Sequence, residues 1–478
     1  MNAYFSFPSN SPWRWVLFFI IAMAATTCSS EKQETSSVTG HGEATRPNIV
    51  LVVADDLGWY DLGAYGNPFY ETPNLDKLAG RGIRFTQAYS AGHVCSPTRA
   101  SILTGRYPAR VGLTNYLYGT KNVEDSPVLP APFTDRLPLE EVTIAEHLRA
   151  AGYKTGLVGK WHLGENTSLG ESDPDLQGFE VTESWDYGLL PVGDSYEWYH
   201  TGDTTTPYRL PELTDEITTG ALRFLDDYRD TSFFLMVTHY AVHLPLQGRA
   251  DLIRKYRDKP NPRPDDFHPV YAAMLEQLDE SVGAIVNRLE RNGLLENTLF
   301  LFVSDNGGLA IGEAGDKPTT NGPLRNGKGT MFEGGIRVPL IAYWPGQWEG
   351  GAATDQLANT VDLLPTLLDA AGLPMQYDTT RPIDGRSWLT DEAAGDYYWH
   401  YPHFSNQGGR PRSAIRRGEH KLIESLEEDR AWLYNLNDDL GETEDLAASL
   451  PAVRDSLRAA LWAWRGEVGA RLPAPKTK

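Results

Sequence analysis

Five runs of apolar, largely β-branched residues limit most tightly how this chain can fold: Asn48–Ala54, Thr155–Gly159, Ser232–Thr238, Thr298–Ser304 and Val338–Tyr343. They do not alternate between apolar and polar residues. A strand apolar on both faces is one whose sheet is covered on both sides, as in parallel sheets. Helix patterns lie between the runs, at Thr143–Ala151 and Tyr271–Asn292. In the second, Leu275, Leu278, Val282, Ile285, Val286 and Leu289 recur on one helical face. Strands alternating with amphipathic helices give an α/β sheet with helices on both faces. After about Leu364 the pattern changes to short strands, Tyr397–Tyr401, Ser413–Arg416, His420–Glu424 and Trp432–Leu436, closed by a helix over Ala452–Gly466. This predicts a smaller C-terminal subdomain built on an antiparallel sheet.

The 478 residues carry 43 Lys and Arg against 64 Asp and Glu, a net charge of −21. Such a surface repels nucleic acid and anionic membranes, so an anionic substrate needs cations gathered locally. At the N-terminus Arg14 precedes an apolar run, Trp15–Ala25, that is too short to span a bilayer and reads as a signal peptide. The Ala25-Thr26-Thr27-Cys28 stretch resembles a bacterial lipoprotein site, with cleavage near Ala22-Met23-Ala24 as the competing reading. The organisation expected is a signal peptide over 1–28, a polar, disordered tether over 29–46, a main body over 47–364 and an α+β subdomain over 365–478. The chain is expected to be exported to the periplasm or cell surface, with a lipid on Cys28 as a further membrane attachment. Beyond Cys28 the only cysteine is Cys95, which rules out an internal disulfide and a multi-cysteine zinc site.

Two acidic pairs follow strands: Asp55-Asp56 after the first run and Asp305-Asn306 after the fourth. Ligands of open α/β sheets bind beyond the carboxyl ends of strands. Either pair alone reads as a turn or cap. Two at equivalent positions point to an all-oxygen site for a hard cation, Ca²⁺ or Mg²⁺. Cys95 opens the stretch Cys95-Ser96-Pro97-Thr98-Arg99 through Thr104-Gly105-Arg106. Ser96 suits an N-cap, Pro97 the first helical position and Gly105 the helix end. Cys95 is then placed at a helix N-terminus, which favours anions and a reactive thiolate. Arg99 lies one turn on. Lys160 and His162 (in Gly159–Gly164), His243 (in His243-Leu244-Pro245) and Lys328 (in Gly327–Gly335) supply further cationic or proton-bearing groups, together suited to a tetrahedral oxyanion.

These motifs resemble those of the type I, formylglycine-dependent sulfatases of the alkaline-phosphatase-like superfamily. C-x-P-x-R followed by T-G-R is matched in full from Cys95 to Arg106, and the supporting motifs occur in the family's order from residue 47 to about 370. Leu433-Tyr434-Asn435-Leu436 with Gly441-Glu442 also looks like the family's C-terminal subdomain. The resemblance implies a large mixed, mostly parallel sheet flanked by helices. It implies that a maturation enzyme oxidises Cys95 to formylglycine (3-oxoalanine), whose hydrate attacks the sulfur of a sulfate ester. It also implies one Ca²⁺ per chain, held by Asp55, Asp56, Asp305, Asn306 and the modified residue 95. By the same resemblance Arg99 steadies the diol, Lys160 and Lys328 bind sulfate oxygens, His162 assists the diol and His243 protonates the leaving oxygen.

A sulfated carbohydrate is the expected substrate. Trp185, Tyr187, Tyr196, Trp198, Tyr199 and His200 crowd a long Gly- and Pro-containing stretch, where aromatic faces can stack on sugar rings. Trp185, Trp198, His200, Arg325 and His403 are candidate sugar contacts, with Arg110 and Asn115 beside them. A phosphonate or phosphate-ester hydrolase on the same fold remains open, as does, from a different class, a non-catalytic binder of sulfated glycans. Export has its own check. Intact-mass analysis of fractionated cells is expected to show a mature chain starting at or before Cys28; an unprocessed chain in the cytoplasm contradicts it.

Overall fold

A computed structural model describes residues 46–117, 126–164, 173–184, 210–312, 317–374, 381–390 and 395–476, all within one compact unit. The expected signal peptide and tether, and Cys28, Trp185, Trp198 and His200, lie outside the described residues. The main sheet has eight strands: β1 (Asn48–Ala54), β2 (Ile83–Phe85), β3 (Lys154–Gly159), β4 (Val181–Ser184), β5 (Phe233–Thr238), β6 (Thr298–Ser304), β7 (Leu340–Tyr343) and β8 (Ala352–Thr354). Their spatial order is β8-β2-β7-β6-β1-β5-β3-β4, and only β7 pairs antiparallel to its neighbours. Each apolar run of the sequence is a strand of this sheet. The short strands β2, β4 and β8 were not foreseen. They are three or four residues long, and polar side chains interrupt them, so no apolar run marks them.

The two sides of β1 show why its sequence is apolar throughout. Val50, Val52 and Ala54 enter one core, whereas Ile49, Leu51 and Val53 enter another on the opposite face. Successive side chains of a strand point to opposite faces, so both must be apolar when helices cover both. The first core is closed by α1 (Pro73–Arg81), α4 (Leu210–Asp227) and α5 (Pro269–Arg291). The second is closed by α2 (Cys95–Thr104), α3 (Ile144–Ala150) and α6 (Leu363–Ala370). Thr143 and Glu146 form a reciprocal capping box that starts α3 where the sequence pattern placed it. Asp279 of α5 accepts the Asn74 and Leu75 N–H groups at 3.0 and 2.7 Å, tying the start of α1 to α5.

The C-terminal strands β9 (Tyr397–Tyr401), β10 (Arg412–Arg417), β11 (His420–Ser425) and β12 (Ala431–Asn435) form an antiparallel sheet in that order. One face, with Trp399, Tyr401, Ala414 and Ile423, packs on Tyr89, Val94, Met331 and Phe332 of the main body. The other, with Ile415, Leu422 and Leu433, is covered by Leu457, Leu461 and Trp464 of α7 (Pro451–Glu467). A fully buried ion triad pins this sheet to the body. Lys421 on β11 lies 2.9 Å from Glu333 Oε1 and 2.9 Å from Glu442 Oε1. Glu333 also accepts from Tyr89 at 2.7 Å, and its own N–H donates to Glu442 at 2.7 Å. Burial first, and then the charge of Glu333, pushes the Glu442 carboxyl up to about 7 against the pull of Lys421. Removing one partner from such a cluster strands buried charge. Lys421→Ala is therefore expected to cost about 3–5 kcal/mol in reversible denaturation; a loss below about 1 kcal/mol contradicts the role given to the triad.

Candidate active site

The loops after β1, β3, β5 and β6 converge at the carboxyl edge of the main sheet, where such sheets bind ligands. Asp305 N–H donates to Ala54 O at 3.1 Å, Leu57 N–H to Ser304 Oγ at 3.0 Å and Asp55 N–H to Ala241 O at 3.1 Å. Both acidic pairs are thus held to adjacent backbone. Asp56 has φ +61° and His162 φ +57°, the left-handed region that side-chain-bearing residues enter at a cost of about 1–3 kcal/mol and that recurs at functional sites. Two glycines permit the close approach of the loops. A Cβ on Gly159 would lie 1.9 Å from Thr238 O, and one on Gly307 1.8 Å from Gly334 O.

Three buried carboxylates here face three buried cations. Lys160 Nζ lies 2.5 Å from Asp55 Oδ2, and Lys328 Nζ lies 2.8 Å from Asp56 Oδ2. Arg99 Nε donates to Asp305 Oδ2 at 3.0 Å and Nη1 to Lys160 O at 3.1 Å. Burial opposes ionisation of Asp55, but the charges of Lys160, His243, Arg99 and Lys328 outweigh it and hold the carboxyl well below its usual range. Asp305 goes the other way: burial and the neighbouring Asp55 push it up to about 7. His243 stands at the rim with 21% of its side chain exposed, its Nε2 3.6 Å from Asp56 Oδ2. Its Nδ1 is 2.7 Å from Leu244 O. A carbonyl can only accept, so Nδ1 carries a proton, and burial followed by the charge of Lys328 lowers the ring's proton affinity below its ordinary value. Burial, followed by the charge of Lys160, holds His162 well below its ordinary value, so it is neutral.

Cys95 is the first residue of α2, and Gly105 ends that helix with φ +64° as expected. Ser96 is not the N-cap: Val94 occupies that position, and the Ser96 hydroxyl accepts the Leu117 N–H at 3.2 Å. The helix starts two residues earlier than the Ser-Pro signal suggested, which brings Cys95 itself into the first turn. The expected reactive thiolate is also overturned. Burial and the charge of Asp55 push the Cys95 thiol well above its ordinary value. Its Sγ donates towards Asp55 Oδ1 at 3.3 Å and lies 3.9 Å from Asp56 Oδ1. Burial and the charge of Asp55 outweigh the opposing pull of Lys160 and Lys328.

The same residues fit a hard cation. One ligand atom from each of Asp55, Asp56, Cys95 and His243 lies within 4.8 Å of the others. Asn306 Nδ2 donates to Asp56 Oδ1 at 2.8 Å, whereas Asn306 Oδ1 is buried and has no hydrogen-bond partner among the described residues. An orphaned carbonyl oxygen beside buried carboxylates is what an oxygen-coordinated cation satisfies.

The sugar-contact candidates fare differently. Arg325 is exposed, and its Nη1 donates to Glu442 O at 2.6 Å. His403 is buried, 2.8 Å from Thr114 Oγ1, and burial pushes it down to about 3. Arg110 grips Asp384 through two nitrogens at 2.7 and 3.0 Å, and Asn115 accepts the Tyr401 hydroxyl at 2.8 Å. Sequence reasoning missed Ser304 and Asp61. Asp61 accepts from Gly58 N–H, Tyr271 and Thr319 at 3.0, 2.6 and 3.0 Å and joins the loops on either side of the site. A polar residue ending an apolar strand was the only signal for Ser304, and none marked Asp61.

A family model described as Sulfatase matches residues 47–373, and one described as N-sulphoglucosamine sulphohydrolase, C-terminal, matches residues 326–465. The chain belongs to the sulfatase family. It is a sulfuric ester hydrolase. A sulfatase of Formosa agariphila is 32% identical over 87% of this chain and 87% of its own length. Human arylsulfatase A is 35% identical, covering 80% and 75%, and mouse N-acetylgalactosamine-6-sulfatase is 35% identical, covering 77% and 71%. The crystal structure of Ps i-CgsB in complex with k-i-k-neocarrahexaose superposes with a TM-score of 0.70 at 27% identity, over 88% of this sulfatase and 93% of that chain.

The metal assignment has a direct check. Purified sulfatase is expected to retain one calcium per chain through gel filtration, and Asn306→Ala to weaken calcium binding about tenfold or more. An active, metal-free protein contradicts the assignment.

Proposed function

We propose that this sulfatase hydrolyses sulfate esters of a sulfated carbohydrate, with residue 95 in its formylglycine form as nucleophile and calcium bound by Asp55, Asp56, Asp305 and Asn306. The position of Cys95 carries the reading. Its Sγ is buried between Asp55 and Asp56, inside a ring of cations. As a thiol it is protonated and a poor nucleophile. A group that keeps an O–H donor there and supplies an oxygen nucleophile suits the pocket better, and hydrated formylglycine supplies that. Calcium would supply positive charge against the sulfate oxygens.

The chain's own residues account for the rest. Asp55 and Asp56 already accept the proton-bearing group of residue 95, so they orient it. Lys160 and Lys328 point ammonium groups at those carboxylates, where they can also meet sulfate oxygens. Arg99 fixes Asp305 and, through Lys160 O, the start of the next loop. His243 stands part-exposed at the rim, with its Nε2 beside Asp56. An arriving anion raises its proton affinity and suits it to protonate the leaving oxygen.

Support for a carbohydrate comes from the relatives: N-acetylgalactosamine-6-sulfatase names a sugar sulfate, and Ps i-CgsB was crystallised with k-i-k-neocarrahexaose. A phosphonate or phosphate-ester hydrolase is the second reading, because the same cations fit a phosphoryl group. The phosphonate monoester hydrolase of Agrobacterium radiobacter shares the fold at a TM-score of 0.66 and 20% identity. Maturation by a formylglycine-generating enzyme, export and lipid attachment at Cys28 complete the proposal.

The test compares para-nitrophenyl sulfate, the matching phosphate and a panel of sulfated mono- and oligosaccharides. Sulfate turnover proportional to formylglycine content is expected, with Cys95→Ala at least about 1000-fold slower. Full rates from unmodified cysteine contradict the nucleophile. Faster phosphate turnover favours the second reading, and an aryl sulfate cleaved while no sugar sulfate is contradicts the carbohydrate.

A further inference from the structure

A cationic strip leads away from the site along the small sheet, and neither the catalytic ring nor the core accounts for it. Arg325 stands three residues before Lys328, with its guanidinium carbon 4.0 Å from the centre of the Phe332 ring. Arg412 lies 5.6 Å from the same ring and 4.9 Å from Trp432, and Arg430 lies 4.7 Å from Trp432. Cation and ring thus alternate from the Lys328 loop outwards. Register sets the direction. Ile423 is opposite both Ala414 and Trp432, and Arg412 is two residues before Ala414, so these side chains share the face that packs on Met331 and Phe332. Residues 403–412 also abut the catalytic loop: a Cβ on Gly409 would meet Gly329 O at 2.4 Å, and Gly329 adjoins Lys328.

The charges of this strip are not neutralised by the protein. Among the described residues Arg412 and Arg430 have no carboxylate in ion-pair range, although acids outnumber bases in the chain by 64 to 43. Glu427, whose charge also acts on Arg412, is paired with Arg410 at 2.7 and 2.8 Å. Arg325 bonds only neutral groups, Glu442 O at 2.6 Å and Tyr434 OH at 3.4 Å. Arg412 is half-buried, and its charge is disfavoured by that burial and by the neighbouring Arg410 and Arg325. A half-buried guanidinium without a counterion is costly alone and gains most from an arriving anion. Stacking on rings fixes the planar forks in advance, which lowers the entropy lost when they grip an anion. The part-exposed Trp432 ring between Arg412 and Arg430 suits the apolar face of a sugar, whereas the buried Phe332 ring only holds Arg325 and Arg412 in place.

We propose that Arg325, Arg412, Trp432 and Arg430, held in place by the buried Phe332, form an extended subsite for a sulfated polysaccharide chain, binding anionic groups beyond the ester being cleaved. The inference rests on the sulfatase reading above and adds that the substrate is a polymer rather than a single sulfated unit.

The test uses the full chain, with dextran sulfate as the polyanion, neutral dextran as control and para-nitrophenyl sulfate as an ester with nothing beyond its ring. Arg412→Gln and Arg430→Gln are made singly and together; Arg430 is exposed, so its replacement leaves the fold intact. The double variant is expected to bind dextran sulfate about tenfold or more weakly, while its kcat/KM on the aryl sulfate stays within about twofold of the parent. Arg412→Lys, which keeps charge but not the planar fork, is expected to fall between. Equal dextran sulfate binding by parent and double variant overturns the subsite, as does a parent that does not bind dextran sulfate. A parallel fall in aryl sulfate turnover also overturns it, because the arginines would then serve the catalytic loop. A parent that cleaves no sulfate ester while the double variant loses dextran sulfate binding refutes the sulfatase reading and leaves the strip standing as a polyanion site.

Discussion

Three carboxylates and three cations buried at one edge of a sheet are the constraint on which the rest of this structure depends. Asp55, Asp56 and Asp305 face Lys160, Lys328 and Arg99, and all six are almost fully buried. Each charge taken from water costs several kcal/mol unless its partners are well placed. The whole fold is expected to be stable by only about 5–15 kcal/mol. The cluster therefore survives only because rigid elements over-determine it. Four parallel strand ends deliver Asp55, Lys160, the His243 loop and Asp305, and backbone hydrogen bonds between neighbouring strand ends fix their heights.

The same rigidity explains the local strain. Asp56 and His162 sit in a backbone region that costs energy, and both are flanked by loops packed too tightly for a side chain at Gly159 or Gly307. A relaxed backbone at Asp56 would turn its carboxylate away from Lys328 and Cys95. The strain is thus part of how opposing charges are kept in place rather than collapsing into simple surface pairs.

The C-terminal sheet is more than an appendage to this arrangement. Lys421 binds Glu333 and Glu442, and Glu333 lies five residues after Lys328. The loop that supplies one of the three cations is therefore anchored from the second sheet. That sheet is itself held from its far side by α7. Its inward face begins at the Lys328 loop and ends in arginines stacked on aromatic rings.

Much of this was legible in the sequence, for identifiable reasons. An apolar run such as Asn48–Ala54 can satisfy water only by being buried on both faces, so the strands, the covered α/β sheet and the position of Asp55-Asp56 at a strand end followed from composition and spacing alone. The Cys95–Arg106 stretch announced a short helix ending at Gly105 for a similarly local reason. The short strands β2, β4 and β8 left no such mark, because three or four residues of mixed polarity carry no period. Ser96 gave a false cap signal, since a tertiary contact to Leu117 claimed its hydroxyl. Only the tertiary structure could show that burial and Asp55, 40 residues away, push the Cys95 thiol above its ordinary value. It alone decided that Asn306 Oδ1 is left unpartnered, that Lys421 reaches Glu333 and that Arg412 lacks a counterion. Sequence sets what each segment must bury; which charges then meet depends on contacts between distant segments, and no local pattern records them.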